Sequence, residues 1–127
     1  MPRIRIETTV QIARPQAAAL MKDVMDAIVE ALSLLSDDRT VSIDIRDPAL
    51  FVMKPPYRYF IEIMLFAGRS AEAKKRLFKA IINVMGDRHG IDGREVMIML
   101  NEQPRGNWGL RGGVSGDELV FGYSIEK

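Results

Sequence analysis

Pro2 stands directly behind Met1 and opens an alternating apolar segment in the stretch MPRIRIETTV. Processing in bacteria and eukaryotes usually removes the methionine before a small residue such as proline. Removal leaves a free secondary amine at the first residue of a predicted strand, and such an amine can act as a base, an acid or a nucleophile. Because Met-Pro starts are common, the alternative is that Pro2 only begins the strand.

The composition argues against several other kinds of site. The chain has no cysteine, which excludes disulfides and thiolate metal sites, and its single histidine, His89, lies in the loop-like stretch GDRHGID. A histidine-based metal site and a Ser-His catalytic pair are therefore not expected. Lys and Arg number 18 against 17 Asp and Glu, so the net charge of +1 gives no electrostatic reason to expect a nucleic acid or membrane partner.

The length and hydropathy of the chain predict one domain over residues 1–127. The chain is 47% hydrophobic, which is enough for a core, and no apolar run approaches the roughly 20 residues that cross a bilayer. The N-terminus lacks the apolar core of a signal peptide, so a cytoplasmic location is expected.

Along the chain, segments in which every second residue is apolar alternate with segments in which apolar residues recur at helical spacing. Pro15 is compatible with a first helical turn, and Ser70 is a suitable N-cap. The predicted elements are a strand at 3–7, a helix at 15–32, a strand at 41–46, a strand at 59–68, a helix between Ser70 and Gly86, and a strand at 94–100.

The two halves of the chain resemble each other. The stretch DDRTVSIDI (37–45) matches DGREVMIML (92–100) at an offset of 55, and the helical stripes match at an offset of 57. This tandem β-α-β repeat predicts an α+β fold with a four-stranded mixed sheet and two helices on one face. The pseudo-repeats span 2–47 and 58–102, and residues 103–127 form a C-terminal tail that is expected at a subunit interface.

The strands of the second half are apolar on both faces. Two helices cover one face only, which leaves Met64, Phe66, Met97 and Met99 on the other. Soluble monomers rarely expose a large apolar patch, so this face is expected to be buried in an oligomer. The alternative is that the C-terminal tail folds back over it.

Four features in this order and spacing resemble the tautomerase superfamily, which includes 4-oxalocrotonate tautomerase, malonate semialdehyde decarboxylase and macrophage migration inhibitory factor. They are Pro2, SDDR before the second strand, AGRSAEAKKRLFKAI, and MLNEQPRGNWGLRGG. The resemblance covers residues 2–125 and is greatest for the decarboxylase branch, in which two short units are fused. It implies a homotrimer with no cofactor, in which the N-terminal proline amine is the catalytic group.

The resemblance also implies roles for four further residues. Arg69 is similar to the arginine that binds a substrate carboxylate, although a solvated charge at a strand end is the alternative. Asp38 aligns with the catalytic acid that assists a water or steers a carboxylate, and it could instead cap a helix end or pair with a neighbouring arginine. Trp108 matches the aromatic residue that lines the pocket, and it could also anchor the tail. Arg111 is expected as a second substrate-binding contact.

Some positions depart from the family pattern. The two places that correspond to the second substrate arginine are Ser42 and Met97, and Ile12 stands where another arginine is expected. The substrate therefore carries one carboxylate, or the missing charge comes from Arg39, Arg58 or Arg111.

Three functions are consistent with these residues. The first is a cofactor-independent tautomerase that uses Pro2 as general acid and base on a small 2-oxo or enol carboxylic acid. The second is a decarboxylase or hydratase in which Asp38 matters and Pro2 is the protonated acid. The third is a non-catalytic trimeric binding protein, which follows if Met1 is retained, because the proline nitrogen is then an amide.

Overall fold

Two β-α-β units followed by a small hairpin make up the part of the chain that the structure describes. The structure is a computed structural model and describes residues 2–120, so the end of the predicted tail lies outside the described residues. The elements are β1 (Arg3–Thr8), α1 (Arg14–Ala31), β2 (Val41–Ile45), β3 (Tyr59–Phe66), α2 (Ala71–His89), β4 (Val96–Gln103), β5 (Gly109–Leu110) and β6 (Val114–Ser115).

The main sheet has the strand order β2-β1-β3-β4. β1 runs parallel to β2, β3 runs parallel to β4, and the central pair β1–β3 is antiparallel. Each parallel pair is joined by one helix, as a parallel connection requires. The predicted α+β fold with a mixed four-stranded sheet is confirmed.

Both helices pack on one face of this sheet and against each other. β1 alternates buried and accessible residues, and its Ile4 and Ile6 are fully buried under the helices. In α2, the Ser70 hydroxyl accepts a hydrogen bond from the Ala73 amide (3.1 Å), and Gly90 ends the helix with a left-handed φ of 64°. Neither helix within residues 2–120 is long and apolar enough to cross a membrane.

A residue of the first repeat corresponds to the residue 57 positions later in the second repeat, both in the helices and in the paired strands. Leu20 of α1 and Leu77 of α2 are equivalent buried positions, Ile4 lies opposite Val41, and Ile61 lies opposite Ile98. The sequence match at an offset of 55 is therefore displaced by two residues from the structural equivalence. A shift of two leaves the inward and outward alternation unchanged, which is why the pattern alone does not reveal it.

The opposite face of the sheet is charged on one half and apolar on the other. On β1 and β2, Arg5 pairs with Asp44 through an Nε–Oδ2 contact of 3.0 Å. On β3, Phe66 is only 1% exposed, and Trp108 of the same chain packs edge-on against it, so this part of the face is covered within one protomer. Met99 on β4 remains 42% exposed, so the tail covers only part of the predicted apolar face.

Candidate active site

Strand pairing brings Pro2 and the other predicted site segments to one end of the sheet. The Ile4 amide donates to the Thr40 carbonyl (2.8 Å), so Thr40, two residues after Asp38, lies beside the start of β1. Arg3 lies opposite Met64, which places the end of β3, and the loop that follows it, at the same end. Pro2 itself is buried. Asp38 and Arg69 therefore lie at the end of the sheet where Pro2 begins β1.

Arg69 is a buried cation at the junction between β3 and α2. The residue is 7% exposed, and its Nε has no hydrogen-bond partner among residues 2–120. Burial lowers the pKa of the guanidinium, while the negative charge of Glu102 acts in the opposite direction. Arginine remains charged at neutral pH all the same. A buried charge without a hydrogen-bonded partner is costly, so the guanidinium is suited to receiving an anion.

Glu102 is already engaged with another cation. The Lys74 ammonium, on the first turns of α2, lies 2.5 Å from its carboxylate, and both side chains are partly buried. The attraction between Glu102 and Lys74 leaves less negative charge to compensate Arg69. The sequence gives no sign of this pair, because Lys74 is one of several basic residues in the predicted second helix.

Trp108 covers the end of β3. Its ring meets that of Phe66 edge-on, with centroids 5.1 Å apart and planes at 73°, a favourable arrangement for two aromatic rings. The indole Nε1 is buried and has no acceptor among residues 2–120. Within residues 2–120, the site region therefore contains two buried N–H donors without acceptors, one on Arg69 and one on Trp108.

The tail that carries Trp108 is fixed by the backbone and by Arg105. The Gly116 amide donates to the Trp108 carbonyl (2.9 Å), and Arg105 Nε donates to the Gly116 carbonyl (3.1 Å). Arg105 also donates to the Leu119 carbonyl. A Cβ at Gly116 would collide with the Arg105 backbone. Sequence analysis missed Arg105, and its only signal there is an arginine in a turn-rich segment.

Asp38 lies in the connection from α1 to β2. Its backbone amide donates to the Leu35 carbonyl (3.1 Å), and the residue is half-buried. The neighbouring Arg39 is directed to α1, where Nη2 lies 2.7 Å from Asp26 Oδ1 and Nε donates to the Ser36 carbonyl. Hydrogen bonds from Lys22 and Arg39 lower the pKa of Asp26. Arg39 is therefore already engaged by a carboxylate.

The two other candidates for a second substrate arginine lie elsewhere. Arg58 pairs with Glu95 (3.5 Å) beside the start of β3, which is the end of the sheet opposite Pro2. Arg111 lies in the turn between β5 and β6, where it is exposed and has a left-handed φ of 45°. Within one protomer, strand pairing places Pro2 and the segments that carry Asp38 and Arg69 at one end of the sheet. The Phe66 contact places Trp108 at the end of β3, and Arg111 lies at the tip of a hairpin.

None of the five predicted site residues lines either of two cavities formed by described residues on the helix side of the sheet. One, of about 640 Å³, lies between α1 and α2 and includes acidic residues such as Asp26 and Glu30. The other, of about 400 Å³, surrounds Tyr59 at the end of the sheet opposite Pro2.

Comparison with known proteins gives consistent similarities. A family model described as "Tautomerase enzyme" matches residues 45–111. The 2-hydroxymuconate tautomerase of Comamonas testosteroni is 32% identical over 60 residues, which are 47% of this chain and 94% of that protein.

Solved structures match over most of the chain. The FG41 malonate semialdehyde decarboxylase inhibited by 3-bromopropiolate is 28% identical, with a TM-score of 0.78 over 88% of this chain and 91% of that one. A native fused 4-OT has a TM-score of 0.82 at 18% identity, over 92% of this chain and 98% of that one, which shows a shared fold.

Proposed function

The chain belongs to the tautomerase superfamily of enzymes, and we propose that it interconverts the enol and keto forms of a small 2-oxo carboxylic acid without a cofactor. The observation that carries this proposal is the buried Arg69 guanidinium, whose Nε lacks a partner among residues 2–120, at the end of the sheet where Pro2 begins β1. A substrate carboxylate supplies the missing acceptor next to a residue that can move a proton.

Pro2 is the proposed general base and acid once Met1 has been removed. Burial and a neighbouring cation both disfavour the charged form of an amine, and on that ground we propose that the free Pro2 nitrogen is neutral often enough at pH 7 to act as a base. The neutral nitrogen takes a proton from the enol hydroxyl and returns a proton to carbon, so the reaction consumes and releases nothing. The ring of proline holds the nitrogen in one orientation for both transfers.

Arg69 and Trp108 have complementary proposed roles. The guanidinium binds the carboxylate and opposes the negative charge that develops on the neighbouring enolate oxygen, an interaction that is stronger where water is excluded. Trp108 forms a wall that excludes water, and its unpartnered indole N–H can donate to a substrate oxygen. Arg111 is proposed as a second anion contact only if another subunit brings it to the site.

A substrate with one carboxylate is supported best. Arg39 is engaged by Asp26, and Arg58 lies at the other end of the sheet with Glu95. Neither Arg39 nor Arg58 of the same protomer is therefore placed to bind a second carboxylate, such as that of 2-hydroxymuconate. We therefore favour an enol such as phenylenolpyruvate over a dicarboxylate.

The test is a direct comparison of the two substrates with untagged protein whose loss of Met1 has been verified by mass spectrometry. We expect kcat/KM for phenylenolpyruvate to exceed that for 2-hydroxymuconate. The opposite order would mean that a second cation reaches the site, and the absence of both activities would contradict the tautomerase proposal.

A decarboxylase or hydratase is the second candidate, because Asp38 lies two residues before Thr40, whose carbonyl accepts a hydrogen bond at the start of β1. The 28% identity with a malonate semialdehyde decarboxylase also supports it. Malonate semialdehyde has a single carboxylate, which suits a single arginine. In this alternative Pro2 is protonated and Asp38 orients a water or the carboxylate that leaves as carbon dioxide.

A homotrimer is the proposed assembly. Met99 is 42% exposed on the sheet face that no helix covers, and Leu50 and Val52 are almost fully exposed in the connection between β2 and β3. Apolar side chains in those places are expected to be buried between subunits. Sedimentation equilibrium tests this, and a well-folded monomer at micromolar concentration would contradict it.

A further inference from the structure

Glu102 lies beside the segment of chain that leads to Arg69. It is opposite Leu65 in the pairing of β3 with β4. Just beyond β3, the Ala67 amide donates to the Gln103 carbonyl (2.8 Å), so the two chains stay side by side until two residues before Arg69. The negative charge of Glu102 accordingly acts on the Arg69 guanidinium. An acidic side chain that is able to compete for the buried arginine is therefore close to it.

The Glu102 carboxylate is nevertheless paired with Lys74. The Lys74 ammonium, on the first turns of α2, lies 2.5 Å from the carboxylate, whereas Arg69 Nε has no hydrogen-bond partner within residues 2–120. The Lys74 and Glu102 side chains are 31% and 22% exposed, so water screens their attraction less than that of a fully exposed pair. The arginine thus keeps an unused donor although an acid lies near it.

A buried arginine would ordinarily capture a nearby carboxylate. Hydrogen bonds between a guanidinium and a carboxylate are among the strongest that side chains form, and a buried donor without an acceptor is costly. Without Lys74, Glu102 would gain most by turning to Arg69. A substrate carboxylate would then have to displace a carboxylate of the protein itself.

We propose that Lys74 is a positioning residue for substrate binding, which pairs with Glu102 and thereby prevents that carboxylate from occupying the Arg69 guanidinium. The inference rests on the proposed function, in which Arg69 binds the substrate carboxylate. Lys74 acts through Glu102 and does not touch the substrate, so it governs affinity and not proton transfer at Pro2. Loss of the lysine cation should therefore raise KM and leave kcat nearly unchanged.

The experiment measures the binding of pyruvate, a 2-oxo acid with one carboxylate, to the untagged protein. Trp108 is the single tryptophan of the chain, so its fluorescence reports the titration. We expect Lys74→Met to raise the Kd of pyruvate by about three- to tenfold, because Glu102 then occupies Arg69 in most of the free molecules. Lys74→Arg keeps the cation and should preserve the Kd of the wild type.

The double variant Lys74→Met/Glu102→Gln tests the mechanism. An uncharged amide does not compete for the guanidinium, so Kd should return to the wild-type value, and Lys74→Met should have no effect in the Glu102→Gln background. If Lys74 only supported the start of α2, or attracted the anion directly, its loss would weaken binding equally in both backgrounds. Equal effects in the two backgrounds would overturn the inference.

A measurement without ligand follows the same exchange of partners. In ¹⁵N-labelled protein, the Arg69 Nε–H signal should move in Lys74→Met, because the group gains an acceptor, and should return in the double variant. Lys75→Met is the matched control, since Lys75 is the next lysine of the helix and pairs with Glu72 where both side chains are exposed. It should change neither the signal nor Kd. Thermal unfolding verifies that each variant is folded, and an Arg69 signal that ignores Lys74→Met would contradict the inference.

Arg69→Ala separates a failure of this inference from a failure of the proposed function. If Arg69→Ala weakens pyruvate binding and Lys74→Met does not, the role of Lys74 is wrong while the carboxylate site stands. If the wild type and Arg69→Ala bind pyruvate equally, or the wild type does not bind it, the carboxylate is not held by Arg69 and both proposals fail.

Discussion

Trp108 packs edge-on against Phe66, with ring centroids 5.1 Å apart, and its indole N–H is buried without an acceptor among residues 2–120. Trp108→Phe keeps an aromatic edge but removes the donor. We expect it to raise KM by about two- to tenfold if the indole donates to the substrate, with little change in stability. Trp108→Ala should also lose the aromatic pairing, worth about 0.5–1.5 kcal/mol of unfolding free energy. Equal KM values for wild type and Trp108→Phe would show that the indole N–H does not bind substrate and that the ring has only a structural role.

Arg69→Ala should lower kcat/KM for a carboxylated enol by about 10- to 100-fold. The variant loses a charge-assisted hydrogen bond in a buried place, which is typically worth about 1.5–3 kcal/mol. Arg94→Ala provides a matched control, because it removes an arginine that is exposed and paired with Asp92. Similar losses in the two variants would place the carboxylate elsewhere.

The proline nitrogen should control the pH dependence of turnover. A buried amine binds its proton less tightly than an exposed one, so the rate should rise with pH around a midpoint below that of an ordinary α-amine. Pro2→Ala retains a primary amine and should keep part of the activity when Met1 is removed. Blocking the nitrogen with a retained methionine or an N-terminal tag should abolish proton transfer and leave the fold unchanged by circular dichroism. Full turnover by the blocked protein would end the proposal that Pro2 is catalytic.

Asp38→Asn should distinguish the two candidate reactions. Enol–keto interconversion needs no activated water, so its rate should fall only modestly. Hydration or decarboxylation should fall by about 10²- to 10⁴-fold, the usual contribution of a positioned acid or base. Both activities are measured on the same preparation, and equal losses would indicate a structural role for Asp38.

Gly116→Ala should destabilise the tail that carries Trp108. An added Cβ would collide with the Arg105 backbone and lie 3.5 Å from the Trp108 Cβ, and such overpacking costs about 1–3 kcal/mol. Gly109→Ala is the control, since its Cβ would have no neighbour within 4 Å. Denaturant unfolding at a fixed protomer concentration measures the difference, because assembly also contributes to stability. An unchanged midpoint for Gly116→Ala would show that the tail adapts.

Periodicity was sufficient to predict both helices and the four long strands, because each element buries one face and the sequence repeats accordingly. The strand register was not predictable to better than two residues, since a shift of two keeps every apolar residue on its own face. Resemblance indicated Pro2, Asp38, Arg69 and Trp108, which the fold brings to one end of the sheet or packs against it. Arg105 and the Lys74–Glu102 pair were missed, because an ion pair or backbone contact between distant positions leaves no spacing signal.

The connection between β2 and β3, residues 46–58, is the only covalent link between the two halves, and all of it is exposed or half-buried. The halves are otherwise joined by six residue pairs between β1 and β3 and by packing of α1 on α2. A peptide link of this kind adds no contact, but it replaces a bimolecular encounter of two short chains by an intramolecular one with a high effective concentration. The folding of one protomer therefore does not depend on protein concentration, whereas the pairing of two separate half-length subunits does.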